Sequence, residues 1–376
     1  MGITQTVLRS RALEALTSPH GVDRYLEIVN PMWAAKDVRA RIVDVRREVD
    51  VPGHPPVATL TLQPTSTWRG HRAGQHVQLG VEVDGARRTT RVFSVSSPDS
   101  RAGDRITVTL RANPAGVVSR YLAERAPVGT VVHLSQAQGE FVLPDRVPDH
   151  VLLISGGSGI TPVMSMLRSL QRRTHRGRIT FLHYAQSPEH QIFADELDEV
   201  RRSGWGIDVH LLHPELGDPA LSPAYLERLV PGYRDVPTWA CGPAPLMSAV
   251  HAAYARPEQA RDEPSRRDGS EALRVEYFKL GTARADGAGD EPAEGTVTFA
   301  RSGLDVANDG STLLEQAEAA GLTPEYGCRM GICLTCTARK TEGTVRNVLT
   351  GETSSLPDED VRLCVSAPCT STALDL

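Results

Sequence analysis

Tyr326-Gly327-Cys328-Arg329-Met330-Gly331-Ile332-Cys333-Leu334-Thr335-Cys336 is the stretch that decides how this chain is read, and Cys364 is its distant complement. The cysteines run C-x4-C-x2-C, and 27 residues separate Cys336 from Cys364. At that spacing four thiolates hold a 2Fe-2S cluster, three from one loop wrapped round the iron and a fourth from a remote segment that closes the cage. Gly327 and Gly331 flank the first ligand and let the backbone turn its amides toward the cluster sulfurs. Structural zinc, the rival occupant, usually takes two short-spaced pairs, which this pattern does not repeat. Cys328, Cys333, Cys336 and Cys364 are therefore the expected metal ligands. An electron carrier is the minimum reading.

At 376 residues the chain has room for two to four domains, each with its own core. The two remaining cysteines, Cys241 and Cys369, make no disulfide framework. Met1–Ser10 lacks the apolar core of a signal peptide, and a thiolate-held cluster fits a reducing compartment, so a cytoplasmic protein is expected. The longest uncharged stretch, Val151–Leu167, contains Gly156-Gly157-Ser158-Gly159 and Pro162. It reads as a strand, a turn and a helix, and no membrane span is expected. The net charge of −5 is uneven: residues 296–376 hold 6 basic and 11 acidic side chains, and the rest of the chain is balanced. An acidic cluster domain on a neutral body suits docking to a basic patch on a redox partner, or is simply a solvated face; it argues against nucleic acid.

The pattern along the chain predicts a multidomain fold. Residues 1–37 form an N-terminal extension. From 38 to 147, short alternating runs (Ala40–Val49, Val57–Leu62, His76–Val83, Thr89–Val95, Ile106–Leu110) between turn residues predict a small antiparallel β-barrel. From 148 to 255, apolar runs at Val151–Ile154, Ile179–Tyr184, Ile207–Leu212 and Thr238–Cys241 alternate with helix-length stretches, the mark of a parallel α/β sheet. Residues 256–295 are polar and read as a linker with one candidate strand at Leu273–Leu280. Residues 296–376 carry the cysteines, with a helix expected after Asp309 or Ser311 as cap and before Gly321.

Three further signals suggest bound cofactors. Arg91-Val92-Phe93-Ser94 ends a predicted barrel strand: a guanidinium can pair with pyrophosphate, an aromatic ring can flank an isoalloxazine, and a hydroxyl can bond the reactive flavin nitrogen. Alone, the string is equally a solvated arginine beside a core phenylalanine. Gly116-Val117-Val118-Ser119 precedes a helix expected over Ser119–Arg125, offering free amides to phosphate or merely an ordinary turn. Gly156-Gly157-Ser158-Gly159-Ile160-Thr161-Pro162 joins a buried strand to a helix, where nucleotide phosphates bind, although the usual G-x-G-x-x-G fails at Pro162. Cys241-Gly242-Pro243 closes the last sheet strand.

In this order the motifs resemble those of the ferredoxin–NADP reductase superfamily, with a plant-type ferredoxin of β-grasp (α+β) fold appended. The resemblance spans residues 38–376. It implies that Arg91, Val92, Phe93 and Ser94 contact the flavin, and that Gly116, Val117 and Ser119 hold its pyrophosphate, which favours FAD over FMN. It places Gly157, Gly159, Thr161 and Pro162 on the nicotinamide nucleotide. Cys241, Gly242 and Pro243 would stand beside the hydride-transferring ring, with Ser94 and Cys241 as the catalytic pair. Phe93 replaces the tyrosine common in the family, which removes one hydroxyl contact.

The expected function is that of an NAD(P)H:acceptor oxidoreductase. NADPH (or NADH) gives hydride to FAD, and electrons leave singly through the 2Fe-2S cluster to a terminal oxygenase or desaturase, soluble or membrane-bound, docked on the acidic domain. Arg24–Trp33 resembles the leader of actinobacterial reductases that serve acyl-CoA desaturases, which makes an acyl-CoA or fatty-acid desaturase the favoured acceptor. The alternatives are a ring-hydroxylating or aromatic-degradation oxygenase as acceptor, a non-enzymatic electron carrier, and a redox sensor. NADPH is favoured because no Asp or Glu ends the second strand of the α/β sheet at Ala185-Gln186-Ser187, and Arg172 and Arg173 are candidates to approach the extra phosphate.

Overall fold

The computed structural model describes residues 22–83, 88–114, 116–204, 206–255, 272–277, 295–326, 331, 336–348 and 351–376. Two compact units divide the chain, Met1–Glu276 and Tyr277–Leu376.

Alternating apolar residues build the first sheet. Its strands are β1 (Val38–Val49), β2 (Val57–Pro64), β4 (His76–Val81), β5 (Thr89–Ser94), β7 (Ile106–Arg111) and β8 (Val131–Leu134), with β3 (Gly70–His71) and β6 (Ser100–Arg101) as a separate two-stranded pair. The order β5-β4-β8-β1-β2-β7 is antiparallel at every pair. An isolated bridge between Val95 and Val108 brings the end of β5 onto β7 and closes the sheet into a barrel. Ile42, Leu60, Leu62, Val77, Leu79, Ile106, Val108 and Val132 point inward and are fully buried. Strand β8 has only four residues, and the sequence patterning did not reveal it.

A helix, α1 (Val22–Val29), packs on this barrel. The Asp23 carboxylate accepts the backbone N–H groups of Ala35, Lys36 (2.9 Å) and Asp37 (2.9 Å). Buried Arg39 donates to Glu27 at 3.1 Å and to the Pro31 carbonyl at 3.1 Å. The leader is thus pinned by charge-assisted bonds rather than by core packing, and Tyr25, Ile28, Val29 and Trp33 stay exposed.

The second sheet is formed by β9 (His150–Gly156), β10 (Arg178–Tyr184), β11 (Ile207–Leu212), β12 (Thr238–Gly242) and β13 (Leu273–Tyr277), in the order β11-β10-β9-β12-β13. The pairs β9–β10, β10–β11 and β9–β12 are parallel. Four helices follow its strands. After α2 (Val117–Arg120) of the barrel they are α3 (Ile160–Arg172), α4 (Ala194–Ser203), α5 (Pro223–Leu229) and α6 (Ala244–Tyr254). Strand β13 falls on the candidate strand within the polar 256–295 segment and adds an edge to the second sheet.

In the C-terminal unit β14 (Thr296–Phe299), β15 (Leu304–Ala307), β16 (Thr337–Glu342), β19 (Glu359–Arg362) and β21 (Thr372–Leu374) make a mixed sheet, β15-β14-β21-β16-β19. A smaller sheet joins β17 (Val345–Asn347), β18 (Thr353–Ser354) and β20 (Ser366–Pro368). Helix α7 (Leu313–Ala319) is capped by Thr312, not by Asp309 or Ser311. Thr312 and Glu315 form a reciprocal capping box, while Asp309 is taken up by the backbone N–H of Ser311 at 2.9 Å. Among the described residues no helix is long and apolar enough to cross a membrane.

Candidate functional site

Strand order puts the glycine-rich turn and the Cys-Gly-Pro turn side by side. In the nucleotide sheet β10 and β11 lie on one side of β9, and β12 lies on the other. The chain therefore changes direction of travel between β9 and β12, and in open α/β sheets ligands bind outside the strand ends at such a switch point. Gly156–Gly159 leave β9 there, and Cys241, Gly242 and Pro243 leave β12. Gly159 allows the two turns to meet: a Cβ on it would lie 2.3 Å from the Cys241 carbonyl oxygen and 2.7 Å from the Gly242 nitrogen. Gly157 is needed for another reason, since its φ is +50° with open space around it. Thr161 donates to the Ser158 carbonyl at 3.1 Å, and Pro162 occupies the first turn of α3, where no N–H is required. Both are buried, so they shape the turn from within.

The barrel presents Ser94 to the same place. The loop after β5 is stitched to α3: Ser165 donates to the Ser97 carbonyl at 2.6 Å, Arg168 to that of Ser96 at 2.5 Å, and Ser169 accepts the Asp99 N–H at 2.9 Å. These bonds fix the end of β5 against the nucleotide sheet. From β13 comes Glu276, a buried acid that sequence reading passed over. Its carboxyl is pushed up by burial and pulled back by His76 and Ser94. Burial also pushes the Cys241 thiol well above its usual value, with Glu276 adding to the effect, so it is a neutral thiol. No sequence signal singles out Glu276: in Leu273-Arg274-Val275-Glu276-Tyr277 it alternates with apolar residues, as a carboxylate on a solvated strand face would.

Four buried polar atoms here have no hydrogen-bond partner among the described residues: Ser94 Oγ, Glu276 Oε2 and both ring nitrogens of His76. Each orphan of this kind costs about 1–3 kcal/mol unless something polar fills it. The group expected at this point, a flavin ring edge rich in N–H and carbonyl functions, fits that need.

On the barrel side α2 packs beside β5. Gly116 is its N-cap, Val117 is 55% exposed, and the Ser119 hydroxyl accepts the Asn113 N–H at 3.1 Å. The expected helix over Ser119–Arg125 instead starts at Val117 and finishes as a wide π turn over Tyr121–Arg125. Arg91 donates to the Thr90 carbonyl at 2.7 Å and is half-buried, as are Val92 and Phe93. Arg172 and Arg173 cannot serve as phosphate ligands. Arg172 donates to the Asp99 carbonyl at 2.8 Å, Arg173 pairs with the Asp99 carboxylate, and both sit at the end of α3 remote from the strand ends.

In the C-terminal unit Cys336 and Cys364 share one core with Leu313, Leu314 and Ala317 of α7. The Leu363 N–H donates to the Cys336 carbonyl at 3.0 Å, and the Gly331 N–H donates to Cys364 Sγ at 3.2 Å. Arg362 holds the Gly331 carbonyl. An amide aimed at a ligand sulfur is the outer-sphere arrangement a thiolate cluster requires. Cys328 and Cys333 lie outside the described residues. Cys369 is exposed.

Three domain families match in the order the motifs suggested: an oxidoreductase FAD-binding domain at residues 54–143, an oxidoreductase NAD-binding domain at 153–252, and a 2Fe-2S iron-sulfur cluster binding domain at 297–371. An NADPH oxidoreductase of Mycobacterium tuberculosis is 36% identical over 364 residues, 96% of this chain and 90% of that protein. The chain belongs to the ferredoxin–NADP reductase superfamily. This reductase is also similar, at 31% identity, to the ferredoxin reductase component of a 3-ketosteroid-9-alpha-monooxygenase of the same species, covering 78% of this chain and 82% of that one. Phthalate dioxygenase reductase shares its fold, with a TM-score of 0.56 at 22% identity over 90% of this chain and 97% of that chain. The reductase uses FAD, NAD(P)H and a 2Fe-2S cluster.

Proposed function

We propose that this reductase supplies single electrons, drawn from NADPH, to a separate terminal oxygenase. The observation that carries this reading is the convergence of Ser94, Cys241 and Glu276 at the switch point, in a chain that also buries Cys336 and Cys364 together. FAD held here would supply a hydride acceptor for the nicotinamide and a source of single electrons for the cluster. The chain's own part is placement. Ser94 Oγ offers a hydroxyl to the reacting edge, and buried Cys241 packs as a neutral thiol beside the nicotinamide. The Gly157 turn leaves room for the nucleotide, and Arg91 with the Gly116–Ser119 turn takes the pyrophosphate. Cys328 and Cys333 complete the ligand set begun by Cys336 and Cys364.

Relatives named as reductase components of glycine betaine and ketosteroid monooxygenases support an oxygenase as acceptor. A second reading, a desaturase, is favoured by the leader: Arg24–Trp33 resembles that of reductases serving acyl-CoA desaturases, and α1 carries it on the barrel. The acceptor docks on the acidic C-terminal domain, residues 296–376. We place the protein in the cytoplasm, where thiols stay reduced. NADPH is preferred over NADH because no carboxylate follows β10 at Ala185-Gln186-Ser187 to repel the extra phosphate.

Two measurements test this. NADPH-driven turnover reconstituted with purified oxygenases and desaturases of the source genome should yield product with one of them, and product with none sinks the proposal. A higher kcat/KM for NADH than for NADPH overturns the nucleotide preference. For the flavin strand, Arg91→Ala should weaken FAD binding by about 1.5–3 kcal/mol, roughly tenfold to a hundredfold, from loss of a charge-assisted bond. Full FAD occupancy after dilution would contradict the pyrophosphate role.

A further inference from the structure

His76 is a buried histidine with no ordinary structural task. It lies on β4 directly across from Ser94 of β5, and its side chain is 2% exposed. Core histidines normally satisfy their ring nitrogens; here neither nitrogen has a hydrogen-bond partner among the described residues. Nδ1 instead stands 3.7 Å from Oε1 of Glu276, whose side chain is 5% exposed. The ring is held in place. Backbone bonds between His76 and Gln138, of 3.0 and 2.9 Å, fix the strand. Gly139, with φ of +109°, leaves the ring its space, since a Cβ there would lie 2.9 Å from Cε1 and Nδ1.

We propose that His76 is a positioning residue for flavin reduction: it acts through Glu276, its Nδ1 standing 3.7 Å from Oε1, and so sets the charge of the carboxyl that faces the flavin site. The groups that face Glu276 among the described residues are His76 from β4, Ser94 from β5 and Cys241 from β12. Ser94 is a neutral hydroxyl and Cys241 a neutral thiol. His76 is the one basic group of the three. Burial alone would hold the acid protonated, and the imidazole opposes that. A carboxyl balanced in this way can ionise although it is buried.

This inference rests on the FAD-dependent reading above. The test uses the FAD-loaded full-length protein and two variants, His76→Gln and Glu276→Gln. Infrared difference spectra over a pH series read the carbonyl band of a protonated carboxyl, and the band that vanishes in E276Q belongs to Glu276. In H76Q the midpoint of that band should move to higher pH by about one unit or more. The acid limb of the rate of flavin bleaching by NADPH should move with it. An unchanged midpoint in H76Q, with rates scaled evenly at all pH values, overturns the proposal. Should glutamine unsettle the fold, wild-type protein carrying 15N-histidine decides instead: the His76 Nδ1 signal and the carboxyl band titrate together if the two are paired, and separately if they are not. A protein that binds no FAD, or is not bleached by NADPH at any pH, defeats the functional reading itself.

Discussion

Cys364→Ser is expected to abolish the 2Fe-2S centre while leaving FAD bound. Cys364 sits in the core of the C-terminal unit, 3% exposed, on the 3-10 turn Leu363–Val365 that α7 packs against. Its sulfur receives the Gly331 N–H at 3.2 Å. Serine keeps the shape but replaces a soft thiolate with a hydroxyl that binds iron far more weakly. Outer-sphere partners alone change metal affinity by roughly 10–100-fold, and losing a ligand should exceed that. Reduction of cytochrome c by NADPH should therefore fall by about 100-fold or more. Ferricyanide, which takes electrons directly from a flavin, should still be reduced. Cys369→Ser is the internal control: Cys369 is exposed and lies outside the C-x4-C-x2-C pattern. A paramagnetic cluster signal of normal intensity in C364S would refute the ligand assignment.

Gly159→Ala should damage both stability and nicotinamide-dependent flavin reduction. The added Cβ would meet backbone atoms only, at 2.3, 2.6 and 2.7 Å, and backbone at the end of a fully buried strand cannot swing aside. Overpacking of this sort costs about 1–3 kcal/mol, which for a unit of this size lowers Tm by roughly 2–4 °C per kcal/mol. The functional loss should be larger. Relieving the clash pushes the Gly156–Gly159 turn away from Cys241 and Gly242, and a misplacement near 1 Å can cost about 100-fold in rate. Gly157→Ala offers the contrast, because nothing lies within 4 Å of its Cβ direction and only the positive φ is penalised, at about 1–2 kcal/mol. Stopped-flow bleaching by NADPH, with FAD content and Tm on the same samples, separates the two. A G159A protein with normal Tm and normal bleaching would show that the two turns need not touch.

Motifs carried by fixed local spacing are legible in the chain itself. The cysteine pattern, the R-x-F-S strand, the glycine-rich turn and Cys-Gly-Pro are short strings whose chemistry depends on neighbours in sequence. Three modules in order follow from them, and the alternation of Val57–Leu62 or the apolar run Val151–Ile154 suffices to separate barrel from parallel sheet. Arg172 and Arg173 mislead, because their position along α3 says nothing of which end of the sheet they reach, and Asp99 claims them both.

The sequence by itself determined which cofactors this chain is built to hold, since ligand identity and spacing are local properties. Tertiary structure alone decided which residues surround the reacting edge. His76, Ser94, Cys241 and Glu276 come from four strands in two sheets and are separated by up to 200 positions. No local propensity marks Glu276 in its strand or His76 in its own. What singles them out is that the fold removes both from water and leaves them facing each other at 3.7 Å, where an isolated charge is too costly to keep.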